Sequence, residues 1–316
     1  MKKLSKALGY IAIGFFLLRL AGLTVFGQRD IPLDQLKEKY TNASSSFLPL
    51  MGMQIHFRSE GNPEDSIPLV LIHGTSSSLH TWDSLVNLLL AQTHKRIIRL
   101  DLPAFGLTGP NPENKYASPY YIHFLDSFLN ALHINKCILG GNSLGGGIAW
   151  QYAVAHPTKV NQLILIDAAG YPRKNEKGSL GFKIANMPII NNLLLFITPK
   201  SLVKKSLETV FYDQALITEV TITRYHNMLL REGNRRAALS LFQNRAVQDV
   251  STMKTITAPT LILWGEKDQL IAVEDAYLFQ KDIKNNSLVI LQKVGHIPME
   301  EAPNAVAKAI VEFLKE

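Results

Sequence analysis

A single cysteine, Cys137, stands among 316 residues, which excludes an internal disulfide framework. The chain has no H-E-x-x-H pair and no Cys/His cluster, so its sequence points to no metal. It has no G-x-x-x-x-G-K-[ST] loop. The glycines of 140–147 do not fall in the register of G-x-G-x-x-G, which argues against a nucleotide or dinucleotide cofactor. The net charge of +7 is accompanied by no recognisable nucleic-acid-binding module, so no nucleic-acid partner is expected. Internal repeats and low-complexity tracts are absent as well. Charged residues make up 19% against 47% hydrophobic, a balance that excludes disorder and leaves a globular chain with an apolar surplus.

Part of that surplus is at the N-terminus. Lys2, Lys3 and Lys6 precede an apolar run from Ala7 to Gly27, about the roughly 20 residues that span a bilayer. Arg19 interrupts it, at a cost on the order of 2.5–3.5 kcal/mol on insertion scales. Three readings compete: an uncleaved membrane anchor over 1–29, a signal peptide cleaved near Val25-Phe26-Gly27, and a buried or surface-lying helix. The anchor is the first choice, and the flanking lysines place the body of the chain outside the cytoplasm. Residues 1–29 carry five Lys/Arg and no acid; residues 171–250 carry twelve Lys/Arg against six acids. A basic tail and a basic middle segment suit an anionic membrane surface, although scattered solvated lysines would give the same count in the middle segment. Oligomeric state is left open.

From residue 50 onward, apolar strands alternate with helices. Met53–Phe57, Pro68–Ile72, Arg96–Leu100, Cys137–Leu139, Gln162–Ile166, Pro259–Trp264 and Asn286–Leu291 read as strands; Trp82–Leu90, Tyr120–Leu132 and Pro303–Leu314 read as helices. Asp30–Leu50 reads as a polar linker or short helix. The pattern predicts an α/β protein with a mostly parallel sheet flanked by helices. Between Tyr171 and Val250 the alternation stops and only helices are expected, over Ile189–Ile197, Ser201–Tyr212, Thr218–Arg231 and Arg235–Ala246. This divides the chain into an N-terminal segment (1–29), a core (50–170), a helical insertion (171–250) and a second part of the core (251–316).

The stretch Cys137–Ala149 carries the chemistry. Gly141-Asn142-Ser143-Leu144-Gly145 is a G-x-S-x-G pentapeptide between a strand and a helix, a turn that strains its serine and pushes the hydroxyl out of the sheet. A glycine-rich turn with an incidental serine is the plain alternative. A serine hydroxyl becomes a nucleophile only beside a base oriented by an acid. Asp268 and His296 both follow Ser143, in the order this fold requires, and both lie just past strand ends, where sites in parallel sheets form. Asp167, also at a strand end, is the alternative acid. Asp101 is expected to brace loops, and His73 to make a structural hydrogen bond. The backbone N–H of Leu144 and that of Thr75 are the expected oxyanion donors. Cys137 is expected to pack in the core.

These segments resemble the α/β-hydrolase superfamily over roughly residues 50–316. The resemblance rests on His73-Gly74, Asp101-Leu102-Pro103-Ala104-Phe105-Gly106, Gly141-Asn142-Ser143-Leu144-Gly145-Gly146, Trp264-Gly265-Glu266-Lys267-Asp268 and Val294-Gly295-His296-Ile297-Pro298-Met299-Glu300. The family usually has glycine where Ala104 stands. Within the superfamily the chain looks most like membrane-anchored monoacylglycerol lipases and cold-adapted bacterial lipases. The carbon–carbon bond hydrolases of aromatic degradation share the Gly-Asn-Ser elbow. The resemblance implies an α/β-hydrolase fold with a helical cap after the sixth core strand, and hydrolysis of a small-molecule carboxylic ester or lipid through an acyl-enzyme on Ser143, His296 and Asp268. Carbon–carbon cleavage on the same triad and a non-catalytic binding role are the alternatives. The run Leu193-Leu194-Leu195-Phe196-Ile197 is expected to line an acyl pocket, to lie on lipid, or to pack as core between cap helices.

Overall fold

A computed structural model describes residues 27–172, 187, 195–243 and 248–315. The apolar run Ala7–Phe26, most of the helix expected over Ile189–Ile197, and the last residues expected in Arg235–Ala246 lie outside the described residues. No helix among the described residues is long and apolar enough to cross a membrane.

In chain order the elements are α1 (Leu33–Tyr40), β1 (Ser45–Leu50), β2 (Met53–Gly61), β3 (Leu69–Ile72), α2 (Asp83–Gln92), β4 (Arg96–Leu100), α3 (Ser118–Ala131), β5 (Cys137–Asn142), α4 (Leu144–Ala155), β6 (Val160–Ile166), α5 (Lys200–Val210), α6 (Glu219–Leu230), α7 (Asn234–Gln243), β7 (Thr260–Gly265), α8 (Glu274–Asp282), β8 (Asn286–Leu291), α9 (Pro298–Glu301) and α10 (Pro303–Phe313). The eight strands form one sheet in the order β1-β2-β4-β3-β5-β6-β7-β8. Pairing is antiparallel at β1/β2 and β2/β4 and parallel from β4 through β8.

Continuous apolar strands are buried on both faces, and successive side chains alternate between two packed layers. Val70, Ile72, Leu163, Leu165, Ile262 and Trp264 enter one layer, where Phe124 and Phe128 of α3, Tyr152 of α4 and Phe279 of α8 cover them. Leu69, Leu71, Ile164, Ile166, Leu261 and Leu263 enter the other, beneath Leu85 and Leu89 of α2 and Ile310 and Phe313 of α10. Each such side chain, fully buried, contributes about 1.5–3 kcal/mol of transfer free energy. Cys137 lies in the first layer, free and buried, and burial pushes its thiol up to about 12.

Two elements depart from the sequence reading. Ser45–Leu50, expected as linker or short helix, is an antiparallel edge strand. It pairs with β2 from Ser45 opposite Arg58 to Leu50 opposite Met53. Glu274–Asp282 forms a helix where none was expected. Between β6 and β7 the described residues contain no strand; α5, α6 and α7 stand there instead.

Candidate active site

The turn after β5 is built by near contact of backbones. A Cβ on Gly141 would fall on the Gly145 backbone, and one on Gly145 would fall on the carbonyl of Ile72. Only glycine leaves room for α4 to start so close to β3 and β5. Ser143 between them takes φ 53° and ψ −116°, a conformation that L residues rarely adopt. Its N–H donates to Ile166 O (3.0 Å), and its carbonyl accepts the N–H groups of Gly147 and Ala169 (2.9 Å each). The strain is therefore held by β6 on one side and the helix on the other.

His296 follows β8. Its backbone N–H donates to Val210 O at the end of α5 (2.7 Å), and Gly295 N–H donates to Glu301 Oε2 (2.9 Å). Its Nδ1 lies 2.6 Å from Asp268 Oδ2, with both side chains buried. Asp268 Oδ1 accepts the N–H groups of Leu270 (2.7 Å) and Ile271 (2.9 Å), which fix the carboxylate toward the ring. Because Nδ1 faces a carboxylate, it carries the proton, and Nε2 is left as the basic nitrogen. Ser143 and His296 line one cavity of about 160 Å³. Their side chains are not hydrogen-bonded to each other among the described residues.

Thr75 lines the same cavity, and its N–H has no acceptor among the described residues. Leu144 is the first residue of α4, so its N–H has no partner within the helix. His73 ties the loop instead: Leu102 N–H donates to its Nε2 (3.0 Å), and its Nδ1–H donates to Gly74 O (2.7 Å). Burial lowers its pKa despite the nearby Asp101. Asp101 braces loops by accepting the N–H groups of Leu79 (2.7 Å) and Leu107 (2.8 Å).

The remaining cavity wall is mostly apolar and comes largely from the segment between β6 and β7. Val203 and Leu207 of α5, Leu229 of α6, and Leu239 and Phe242 of α7 contribute. Arg235 is the one permanently charged residue in the lining, and it is paired with Asp30 through Nε (3.1 Å) and Nη2 (2.6 Å). Leu195, Phe196 and Ile197 line no part of the cavity, and Phe196 is 49% exposed.

The chain belongs to the alpha/beta hydrolase family. The model of the alpha/beta hydrolase fold matches residues 67–303. A monoacylglycerol lipase (abhd6-A) of Xenopus laevis is 27% identical over 291 residues, covering 84% of this chain and 83% of its own length. A 2-hydroxy-6-oxo-6-(2'-aminophenyl)hexa-2,4-dienoic acid hydrolase of Metapseudomonas resinovorans is 27% identical, over 89% of this chain and 94% of its own. Among solved structures, a membrane phospholipase A superposes with a TM-score of 0.74 at 25% identity, over 100% of this chain and 98% of its own. The chain is thus a hydrolase whose relatives include lipases and an enzyme acting on a dienoic acid.

Three features of this hydrolase site were not found from sequence. Asn142 Nδ2 donates to Ile166 O (3.2 Å) and to His296 O (3.0 Å), tying the elbow to the histidine loop. Glu300 accepts Thr81 Oγ1–H (2.6 Å), Tyr225 O–H (2.7 Å) and Arg224 Nη2–H (2.5 Å), joining α6 to the same loop. Its place two residues beyond His296-Ile297-Pro298 in the family motif is the one signal available beforehand. Asp167 does not accept from His296; it lies behind Asp268. The reactive atoms of Asp167, Asp268 and His296 fall within 4.8 Å of one another, the one grouping of metal-ligand types among the described residues. Both Asp268 oxygens and Asp167 Oδ1 are already taken by N–H donors, so the set does not fit a metal ion.

Proposed function

We propose that this alpha/beta hydrolase cleaves carboxylic esters with an apolar acyl chain, acylglycerols included. The observation that carries the reading is the strained Ser143 and the Asp268–His296 pair opening onto a single apolar cavity. Ser143 Oγ attacks the ester carbonyl carbon as His296 Nε2 takes its proton. The tetrahedral oxyanion accepts from the N–H groups of Leu144 and Thr75. Collapse breaks the carbon–oxygen bond, and His296 returns the proton to the departing alcohol. Water then repeats the sequence on the acyl-Ser143 ester. Asp268 holds the imidazole and balances its charge.

In this reading residues 171–250 act as a cap that selects the acyl group, set on a core of 50–170 and 251–316. Residues 1–29 hold the enzyme at a membrane with its body outside the cytoplasm. Gln28 N–H donates to Phe196 O (2.8 Å), so exposed Phe196 lies beside the first of the described residues. Lys200, Lys204 and Lys205 follow nearby and suit an anionic lipid surface. Carbonate extraction should leave the full-length chain in the membrane fraction; its release intact would refute the anchor.

Carbon–carbon cleavage of a dienoic acid is the second reading, favoured by the Metapseudomonas relative. The cavity argues for the ester. A substrate carboxylate would find Arg235 Nε and Nη2 already turned to Asp30, with Nη1 alone left unpartnered in the wall. A panel of nitrophenyl esters of increasing chain length, run beside such a dienoic acid, tests the choice. Turnover should rise with acyl length and exceed that of the dienoic acid. No ester turnover, or faster cleavage of the dienoic acid, would overturn it.

A further inference from the structure

Asp167 follows the last residue of β6 in the left-handed region, at φ 43°, with its N–H donated to Leu263 O (3.0 Å). It is fully buried. Its Oδ1 accepts Gly265 N–H (2.9 Å), but its buried Oδ2 accepts from no donor among the described residues. The carboxyl of Asp268 lies beside it, the two carboxylates and His296 offering atoms within 4.8 Å of one another, and the Asp268 oxygens are turned to Leu270, Ile271 and His296. Two carboxylates in contact have four oxygens and no hydrogen between them. Such a pair holds together only when one of them is protonated, and then the orphan oxygen becomes a donor.

We propose that Asp167 carries a proton at neutral pH and donates it from Oδ2 to the carboxylate of Asp268, so that the pair holds one negative charge and Asp167 is a positioning residue for His296. The groups facing it agree. Burial and the Asp268 carboxylate push Asp167 well above the usual carboxylate range, Glu301 adds to the push, and the Gly265 N–H opposes it without prevailing. His296, which lies close by, is turned to Asp268 instead. The proton does two things. It fixes the far side of the Asp268 carboxylate while the Leu270 and Ile271 amides fix the near side. It also draws off part of the Asp268 charge, so an imidazolium at His296 is held less tightly than by a lone carboxylate.

The inference rests on Asp268 and His296 serving as the acid and base of the ester hydrolase, and its tests separate from that reading. Asp167→Asn keeps a donor, now an amide N–H, in place of the acid O–H. Its acid limb of kcat/KM against pH should superimpose on that of the wild type. Asp167→Leu removes the donor and should move the limb to higher pH with a fall in kcat. A limb displaced to lower pH in Asp167→Asn would mean that a negative charge had been removed, and an unmoved limb in Asp167→Leu would mean that no donor had been lost; either result overturns the proposal. Should Asp167→Leu not fold, infrared difference spectra of wild type minus Asp167→Asn decide. A carboxylic-acid C=O band at pH 7, present in the wild type and lost in the variant, is expected; its absence overturns the shared proton. That band is read without substrate, so it stands or falls independently of ester turnover.

Discussion

Two groupings of serine, histidine and aspartate stand out among the described residues. In one, Asp268 orients His296 at the cavity that Ser143 enters. In the other, Asp101 Oδ2 lies 2.7 Å from His56 Nδ1, and His56 Nε2 lies 3.2 Å from Ser45 Oγ. The second is the one joined from acid to serine by contacts of hydrogen-bond length. Yet Ser45 sits in an edge strand, its oxygen already accepts Arg58 Nε–H (3.2 Å) and Asn42 N–H (3.1 Å), and it lines no part of the cavity. Ser143 has the opposite circumstances: a strained backbone, an open cavity and unpaired N–H groups beside it. A nucleophile is defined by what surrounds the triad, since the three residue types recur in ordinary bracing networks. The acids differ in the same way. Burial raises the pKa of Asp101, but His56 overcomes it and holds the carboxyl well below the ordinary range, with two amides also donating. Asp167, given one amide and a neighbouring carboxyl, goes the other way.

Exchanging the serines gives the largest contrast. Ser143→Ala should lower kcat on nitrophenyl esters by about 10⁴-fold or more, whereas Ser45→Ala should leave it within about twofold. Equal losses in the two variants would erase the distinction. The histidines separate chemistry from stability. His56→Ala strips a fully buried carboxylate of its partner and should cost about 3 kcal/mol in denaturant unfolding while folded protein keeps its kcat. The sign with pH follows from the lowered Asp101 pKa: the stability it contributes is complete above its ordinary 3.8 and is lost as the pH falls below that value. The acid loss should therefore be steeper in the wild type than in His56→Ala. Asp30→Asn is the smallest change. It frees Arg235 within the cavity wall and should raise kcat/KM for an ester with an anionic acyl terminus by about tenfold relative to its neutral analogue. An unchanged ratio would show that Arg235 does not reach the substrate.

How much of this was legible in the sequence depends on where the information lies. Arg96–Leu100 and Asn286–Leu291 have their expected bounds, because a strand buried or half-buried between turn signals announces itself. The elbow was legible for a stricter reason: two glycines meet backbone where a Cβ would stand. Ala104 is a related case. It adopts φ 83°, which is why glycine is usual there in the family. β1 was not legible. Its Ser-Ser-Phe-Leu-Pro-Leu is short and carries a proline, its burial follows no strict alternation, and only pairing with β2 makes it a strand. α8 was missed for a similar reason, with Ala276 and Phe279 its only buried residues. Asp167 could be placed at a strand end, but its pairing with Asp268 depends on how β6 and β7 lie side by side, and no spacing along the chain encodes that. The Asp30–Arg235 pair joins residues more than two hundred positions apart and is equally invisible beforehand.

The central claim, that Ser143 and not another serine is the nucleophile of the cavity, is tested most directly by labelling with a fluorophosphonate and peptide mapping by mass spectrometry. One adduct is expected, on the peptide bearing Ser143, and none on Ser143→Ala. An adduct on Ser45 or another serine, or ester turnover that persists in Ser143→Ala, would contradict it.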